Sequence, residues 1–527
     1  MNLINNINIQ AKNTKLVGSL LALIIGLCGT FWLFGPLMWK PNDFMMSFGG
    51  DAYVIYYDLA YHAKYGSGSL LTNMNYPFGE YIFMTDAQGS LAYVLAMLRN
   101  LGLDLSNYSL GIMHAFNIFL LPFACVIMYL VLEKLHMRWW MAVIFGCLII
   151  FMSPQMLRYH AHFGLAYPFI IPLVMLWIIK KWEKPGNIWL DICMFLILVF
   201  FAFNNPYIGF TSCGFAATTA FLGALYYRKD RKRFIGFIQI FGISTLVLLT
   251  LFLVFHYGDF VDDRIKQQWG FFYFFSSPVG FIAPAGSYFN DFLTWMGVQI
   301  YPTEFERKEN LGLTVTLIAT FAFCYLIYFR FTKKIWKPNY LPVMWIMAGA
   351  VTLLFVYTSN VRILPINTDW FEEHLGKLLM FKAVARLSWS VYFLLCTFAV
   401  YFLDRMLEHQ KARVFIPVVS VICMIWMLEI NHYIKPYFVN IHHKNFWSVD
   451  EKLAFEKSMK DNNITLSDYQ AILCIPKLQL WSDKFISETH WATQFHAQRI
   501  SVFTGLPLIN AMLSRQGISH TSSAIQM

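Results

Sequence analysis

Leu16-Val17-Gly18-Ser19-Leu20-Leu21-Ala22-Leu23-Ile24-Ile25-Gly26-Leu27-Cys28-Gly29-Thr30-Phe31-Trp32, which stays apolar as far as Trp39, is long enough to cross a bilayer as one helix. A hydrocarbon core demands roughly 20 apolar residues per helix, because helices and closed barrels alone satisfy their backbone polar groups away from water. The stretch follows a polar segment ending at Lys15 and has no small-residue cleavage site, so it reads as a retained first helix.

Working outward, further apolar runs occupy residues 108–132, 139–152, 165–179, 188–203, 207–227, 234–257, 311–329, 341–357, 387–403 and 414–430. That makes about eleven spans. The chain of 527 residues is 58% hydrophobic and 13% charged, with a mean hydropathy of +0.51, which excludes a soluble globular class. The expected fold is an all-α polytopic membrane protein over residues 1–430, with a first outer loop at 40–107. Residues 431–527 are expected to form a small outer-face α/β domain, possessing a helix over Val449–Asp461 and a strand-like run at 469–476. No closing element is legible from Ser514 to Met527, so that domain reads as incomplete. The nine cysteines form no CxxC pair, and most stand inside apolar runs, so they read as small packing residues.

A net charge of +10 also suits a nucleic-acid binder, but the cations lie in short clusters between the spans. Lys12 and Lys15, Lys134 and Arg138, Lys180 to Lys184, Arg228 to Arg233, Arg330 to Lys337 and Arg405 to Arg413 fall on every alternate loop. The positive-inside bias then makes those loops and the N-terminus cytoplasmic. The loops holding Asp51, Arg158, Glu306 and Arg386, and the tail, fall on the opposite, outer face. No nucleic-acid partner is expected.

Candidate chemistry gathers on that outer face. Phe48-Gly49-Gly50-Asp51-Ala52 presents a carboxylate after two glycines that permit a tight turn. Tyr76-Pro77-Phe78-Gly79-Glu80 and Thr85-Asp86 follow in the same loop. Asp58 and His62 stand one helical turn apart, the spacing of a local contact or of an acid–base pair. Arg158-Tyr159-His160-Ala161-His162 sets two histidines on one side if extended, where they can hold a metal ion or bond a substrate. The aromatic run 269–275 suits the headgroup level or the wall of a lipid groove. The mixed charges 301–312, including Glu306, suit a solvated face. Lys382 and Arg386 precede the tenth span against the orientation bias, so an anion should face them, and lipid phosphate is the obvious one.

The order of these phrases resembles the GT-C superfamily of polytopic membrane glycosyltransferases, in particular a bacterial branch of large multispanning proteins. The matching phrases are Gly50-Asp51, Tyr76-Pro77-Phe78-Gly79, Thr85-Asp86, Asn205-Pro206-Tyr207, Leu311-Gly312 and Phe381-Lys382-Ala383-Val384-Ala385-Arg386-Leu387-Ser388-Trp389. Asn205 replaces a common histidine and Lys382 a common arginine. The resemblance implies inverting transfer of a sugar from a polyprenyl-phosphate donor to a saccharide, lipid or protein acceptor on the periplasmic face of a bacterial inner membrane. It implies Asp51 as general base, with Asp86 also catalytic, and a substrate site drawn from Arg386, Lys382, His160, His162, Arg158, Tyr76 and Glu306. No cofactor is required by it. A divalent cation is an optional partner, with its ligands unknown. A transporter or flippase of lipid-linked saccharides, or a non-catalytic membrane assembly protein, also suits many spans and outer cations. A transporter should carry charges deep within its spans, whereas here the conspicuous ones concentrate at loops.

Overall fold

The computed structural model describes residues 2–47, 51–264, 270–298, 304–331, 341–359, 381–408, 410–438, 441, 443–474, 480–481, 491–512 and 516–526. Gly49, Gly50, Trp269, Tyr301 to Thr303, Lys333 to Lys337 and the end of the 469–476 run lie outside the described residues.

All eleven apolar runs are helical. Seven helices are long and apolar enough to cross a membrane among the described residues: Asn13–Phe34, Ser106–Lys134, Phe163–Glu183, Pro206–Tyr226, Arg231–Gly258, Val384–Leu407 and Ala412–Tyr433. Trp139–Phe151 and Pro154–His160, bent by 43° at the Ser153-Pro154 break, make an eighth if counted as one. Ile188–Asn204 and Pro342–Thr358 are shorter apolar helices. The expected count of about eleven crossings thus stands at seven or eight by length and composition.

Burial sorts the bundle into inner and outer helices. Phe163–Glu183 and Val384–Leu407 are 89% buried, whereas Asn13–Phe34 and Arg231–Gly258 are 28% and Ala412–Tyr433 is 22%. The outer helices keep leucines and isoleucines such as Leu16 and Ile24 exposed, as lipid-facing surfaces must, since lipid tails are as apolar as those side chains.

The bundle has two chemically distinct ends. At one, Lys134 pairs with Glu183 at 2.7 Å, Arg138 with Asp404 at 2.6 Å, Lys15 with Glu133 at 3.4 Å, and Arg233 lies 4.7 Å from the Trp182 ring. These are the basic loops of the alternation, gathered together. At the other end stand the helix Asp51–Tyr65 and the segments holding Arg158, Glu306 and Arg386.

The helix Asp51–Tyr65 is buried along nearly its whole length, between the helices Gly89–Asn100 and Ser109–Lys134 and the tail. Tyr61 donates its hydroxyl to the Gly505 carbonyl at 2.7 Å and Tyr65 to that of Val502 at 3.0 Å. The tail is helical over Val449–Asp461, Trp491–Thr504 and Ile518–Gln526, with Leu480–Trp481 paired in parallel to Ala511–Met512. Of the strand expected at 469–476, the described part makes one bridge, Ile472 to Leu508. After Ser514 the described residues include the helix Ile518–Gln526. It was illegible because its partners come from distant loops: Gln516 donates to the Asn75 side chain at 3.0 Å, and the Ser519 N–H to Asp263 at 2.6 Å.

Candidate functional site

Pro154 opens the short helix Pro154–His160 at a position where its missing N–H costs nothing, and that turn carries Arg158 into the interior. Its side chain is fully buried, and a buried guanidinium must be paired. It donates to Oε2 of Glu306 at 2.9 Å, with the Phe305 and Trp389 rings 4.6 and 5.5 Å away. Arg386, on the turn Val384–Ser388, reaches the same oxygen from two of its nitrogens at 2.7 Å each. His162 Nε2 lies 3.2 Å from Oε1 of Glu306 and 3.6 Å from Oδ2 of Asp51. A file of side chains therefore runs from Asp51 through His162 and Glu306 to the two arginines. Asp51 is the accessible end: its side chain is 46% exposed, and it opens a helix whose N-terminus favours a carboxylate.

Two sequence expectations change here. The solvated face expected for 301–312 is wrong at Glu306, Glu309 and Asn310: Glu309 and Asn310 are buried outright and the Glu306 side chain is 14% exposed. The anion facing Arg386 is Glu306, where lipid phosphate was expected. Burial alone would raise the Glu306 carboxyl, but the Arg158 and Arg386 guanidiniums, with His162, hold it well below the usual carboxylate range. Glu309 goes the other way. Burial pushes its carboxyl up to about 8, against the Ser388 and Ser276 hydroxyls and the Arg158 and Arg307 guanidiniums.

The remaining candidates sit around this file. Asp86 is exposed and within electrostatic reach of Arg386. The His160 ring lies edge-on to Tyr437 at 5.7 Å. Tyr76 is fixed by the tail, its N–H donating to the Leu508 carbonyl at 3.0 Å. Lys382 lies against the turn at Gly270. Asp58 accepts from Asn73 at 2.6 Å, and no hydrogen bond joins it to His62 among the described residues. Among the described residues no group of three His, Cys, Asp or Glu side chains is arranged to hold a metal ion, and His160 and His162 engage different partners.

Three of the phrases gain physical reasons. Asn205 caps the helix Pro206–Tyr226 by accepting from the Tyr207 N–H at 3.0 Å. Tyr207 in turn accepts from the Ala383 N–H at 2.9 Å and lays its ring 4.6 Å from the Arg386 guanidinium, so it holds the Phe381 to Arg386 phrase in place. Gly312 adopts φ +79°, and a Cβ there would meet a Glu429 oxygen at 2.9 Å. That carboxylate accepts from the Leu313 N–H and, at 2.9 Å, from the Thr314 hydroxyl, covering the N-terminus of the next helix.

Beside the charged file opens an apolar cavity of about 480 Å³ between the helices Gly312–Phe331, Leu341–Thr358 and Val384–Leu407. Phe281, Leu311, Ala322, Trp345, Phe355 and Val391 are among its walls. Its lining does not include Phe271 to Phe275, where sequence placed a lipid path; Phe275 instead underlies Arg307, 4.1 Å away. The cavity was missed because its walls are ordinary apolar span residues. Ser276, Glu309 and Ser388 stand within two or three residues of the cavity-lining Pro278, Leu311 and Val391, and Arg158 acts electrostatically on Glu309.

Fold and site define a multi-pass helical membrane protein with a carboxylate–guanidinium centre at one rim of its bundle. The chain belongs to the family described as a domain of unknown function, DUF6311, whose profile matches residues 23–430. Among curated proteins none matches the chain. Solved structures similar to it include the oligosaccharyltransferase of Archaeoglobus fulgidus tethered with an acceptor peptide, at 10% identity and a TM-score of 0.47, over 95% of this chain and 64% of that one. The same oligosaccharyltransferase in complex with zinc and sulfate is similar at 11% identity and a TM-score of 0.43, over 93% of this chain and 62% of that one. The chain thus spans less than two thirds of the length of these solved chains.

Proposed function

We propose that this protein transfers a sugar from a polyprenyl-phosphate donor to an acceptor hydroxyl at the rim carrying Asp51, with inversion at the anomeric carbon. The observation that carries the reading is the unbroken file from half-exposed Asp51 to the paired arginines, with an apolar cavity beside it. An isoprenoid tail suits that cavity, and the donor phosphate suits Arg386 and Arg158, with Glu306 yielding its place.

Asp51 takes the acceptor proton as the acceptor oxygen bonds to the anomeric carbon. The bond from that carbon to the phosphate oxygen breaks, and the charge gathering on the leaving phosphate is met by the guanidiniums. His162 orients Asp51. Asp86, exposed near Arg386, and His160 are assigned to sugar and acceptor hydroxyls; Lys382 is a third cation for the donor, and Tyr76 carries the loop between them. The basic end of the bundle is assigned to the cytoplasm of a bacterial inner membrane, and the Asp51 rim and tail to the periplasm.

The test is incubation of purified protein with radiolabelled polyprenyl-phosphate sugars and candidate saccharide, lipid and peptide acceptors. Label should move to an acceptor. Donor binding without transfer to any acceptor class would contradict the reading.

A further inference from the structure

From Pro278 to Val298 the chain runs between spans, yet Asp291 is its only charged residue. The helix Tyr288–Trp295 in this segment has no buried residue. Tyr288, Phe292 and Trp295 stand at i, i+4 and i+7 and so share a face, and all three are exposed, as are Met296 and Val298 just beyond. An apolar surface of that kind marks a partner.

Where the helix sits says what the partner is. The Tyr288 ring stacks on His432 at 4.2 Å, and Asp291 Oδ2 lies 3.0 Å from His432 Nε2, at the end of the helix Ala412–Tyr433. That helix starts beside the basic end of the bundle, so His432 belongs to the Asp51 rim. The second support is the helix Gly312–Phe331. Both supports keep apolar side chains exposed, Leu317 and Phe321 on one and Met424 and Leu428 on the other, as lipid-facing helices do. Among the described residues the three most exposed Trp and Tyr are Trp295 at 81%, Tyr257 at 80% and Trp39 at 77%. All three stand at the same rim. Trp39 ends the short helix after the first span, and Tyr257 lies at the end of Arg231–Gly258 remote from Arg233. Indole and phenol rings gather at the headgroup level, where one edge is greasy and the other wet.

We infer that the helix Tyr288–Trp295 lies in the headgroup layer of the bilayer at the Asp51 rim, with Phe292, Trp295 and Met296 sunk among lipid and Asp291 tied to His432. It is a membrane-surface anchor with no span of its own. Its position bears on the apolar cavity. Pro278, Phe281 and Ile282, on the short helix Pro278–Ile282 just before it, line that cavity, and Ile282, Phe323 and Trp345 are at once lining and exposed, so the cavity opens on the side of the bundle. The anchor therefore holds one lip of the opening at the membrane surface. Only the identity of the lipid using that opening rests on the transferase reading; the placement of the helix does not.

The test puts one nitroxide at a time on full-length protein in lipid nanodiscs, after the native cysteines are replaced by alanine. Trp295→Cys is compared with Phe321→Cys as the lipid-facing reference and with Asp450→Cys, exposed on the tail, as the aqueous one. Power-saturation EPR reads access by oxygen, which partitions into lipid, against access by a soluble nickel chelate. The label at 295 should favour oxygen, as at 321, and contrast with 450. A preference for nickel, or shielding from both by protein, overturns the inference and leaves the transferase reading in place. A label in lipid on a protein that transfers no sugar overturns only the transferase reading. Should the labelled proteins not fold, Trp295→Phe replaces them. The tryptophan fluorescence lost in that variant should be quenched by lipids brominated high on their chains and spared by aqueous iodide, and the converse overturns the inference.

Discussion

Arg386 donates from two nitrogens to a single oxygen of Glu306, at 2.7 Å each, and so ties the start of a central helix to a turn about 80 residues earlier in the chain. Glu306 is the hub of the site. Replacing it with glutamine leaves Arg158 and Arg386 buried with no carboxylate between them. Glu306→Gln should lower stability by about 3 kcal/mol, seen as an earlier thermal midpoint in detergent. The depressed Glu306 carboxyl also sets a sign: its contribution is complete above the ordinary carboxylate range and is lost as pH falls through the folded value. Acidification should therefore cost the wild type stability that the variant has already lost.

Arg386→Lys keeps the charge and loses the two-pronged contact and the stacking over Tyr207. Donor KM should rise about tenfold with a smaller fall in kcat, because a point charge replaces a fork. Steady-state kinetics with varied donor checks this; an unchanged KM would separate Arg386 from the donor.

Gly312→Ala places a Cβ in a left-handed backbone conformation and against the carboxylate that covers the following helix. A loss of about 1–2 kcal/mol is expected. Glu429→Gln keeps one accepting oxygen but sets an amide NH2 against the other donor, so a loss of similar size is expected, and denaturation of both variants side by side provides the comparison.

His62 is buried, and desolvation together with Arg99 pushes its ring down to about 4. A folded value below the ordinary 6.5 means stability that is full above 6.5 and is lost as pH falls toward 4. The wild type should lose on the order of 2–3 kcal/mol across that window from this group. His62→Gln should show a shallower slope there when midpoints are compared.

Much of this was legible in sequence because a bilayer imposes lengths and loop charges impose sides. The alternation placed Asp51, Arg158, Glu306 and Arg386 at one end, and they do converge. What could not be read was which charge would be buried. Glu304, Glu306 and Glu309 sit in one polar stretch, and nothing in their order says that Glu306 faces two arginines while Glu309 faces two serines. The residues selecting between them, Arg158 and Ser388, lie about 80 to 150 positions away. The helix Ile518–Gln526 was not legible for the same reason: it is short and half polar, and its docking partners Asn75 and Asp263 belong to other loops.

The most direct measurement is sugar transfer by Asp51→Asn with a radiolabelled polyprenyl-phosphate sugar and the acceptor found active for the wild type. Loss of the base should lower kcat about 10²–10⁴-fold while donor binding and the thermal midpoint stay as they were. Transfer at the wild-type rate by a folded Asp51→Asn protein would contradict the account.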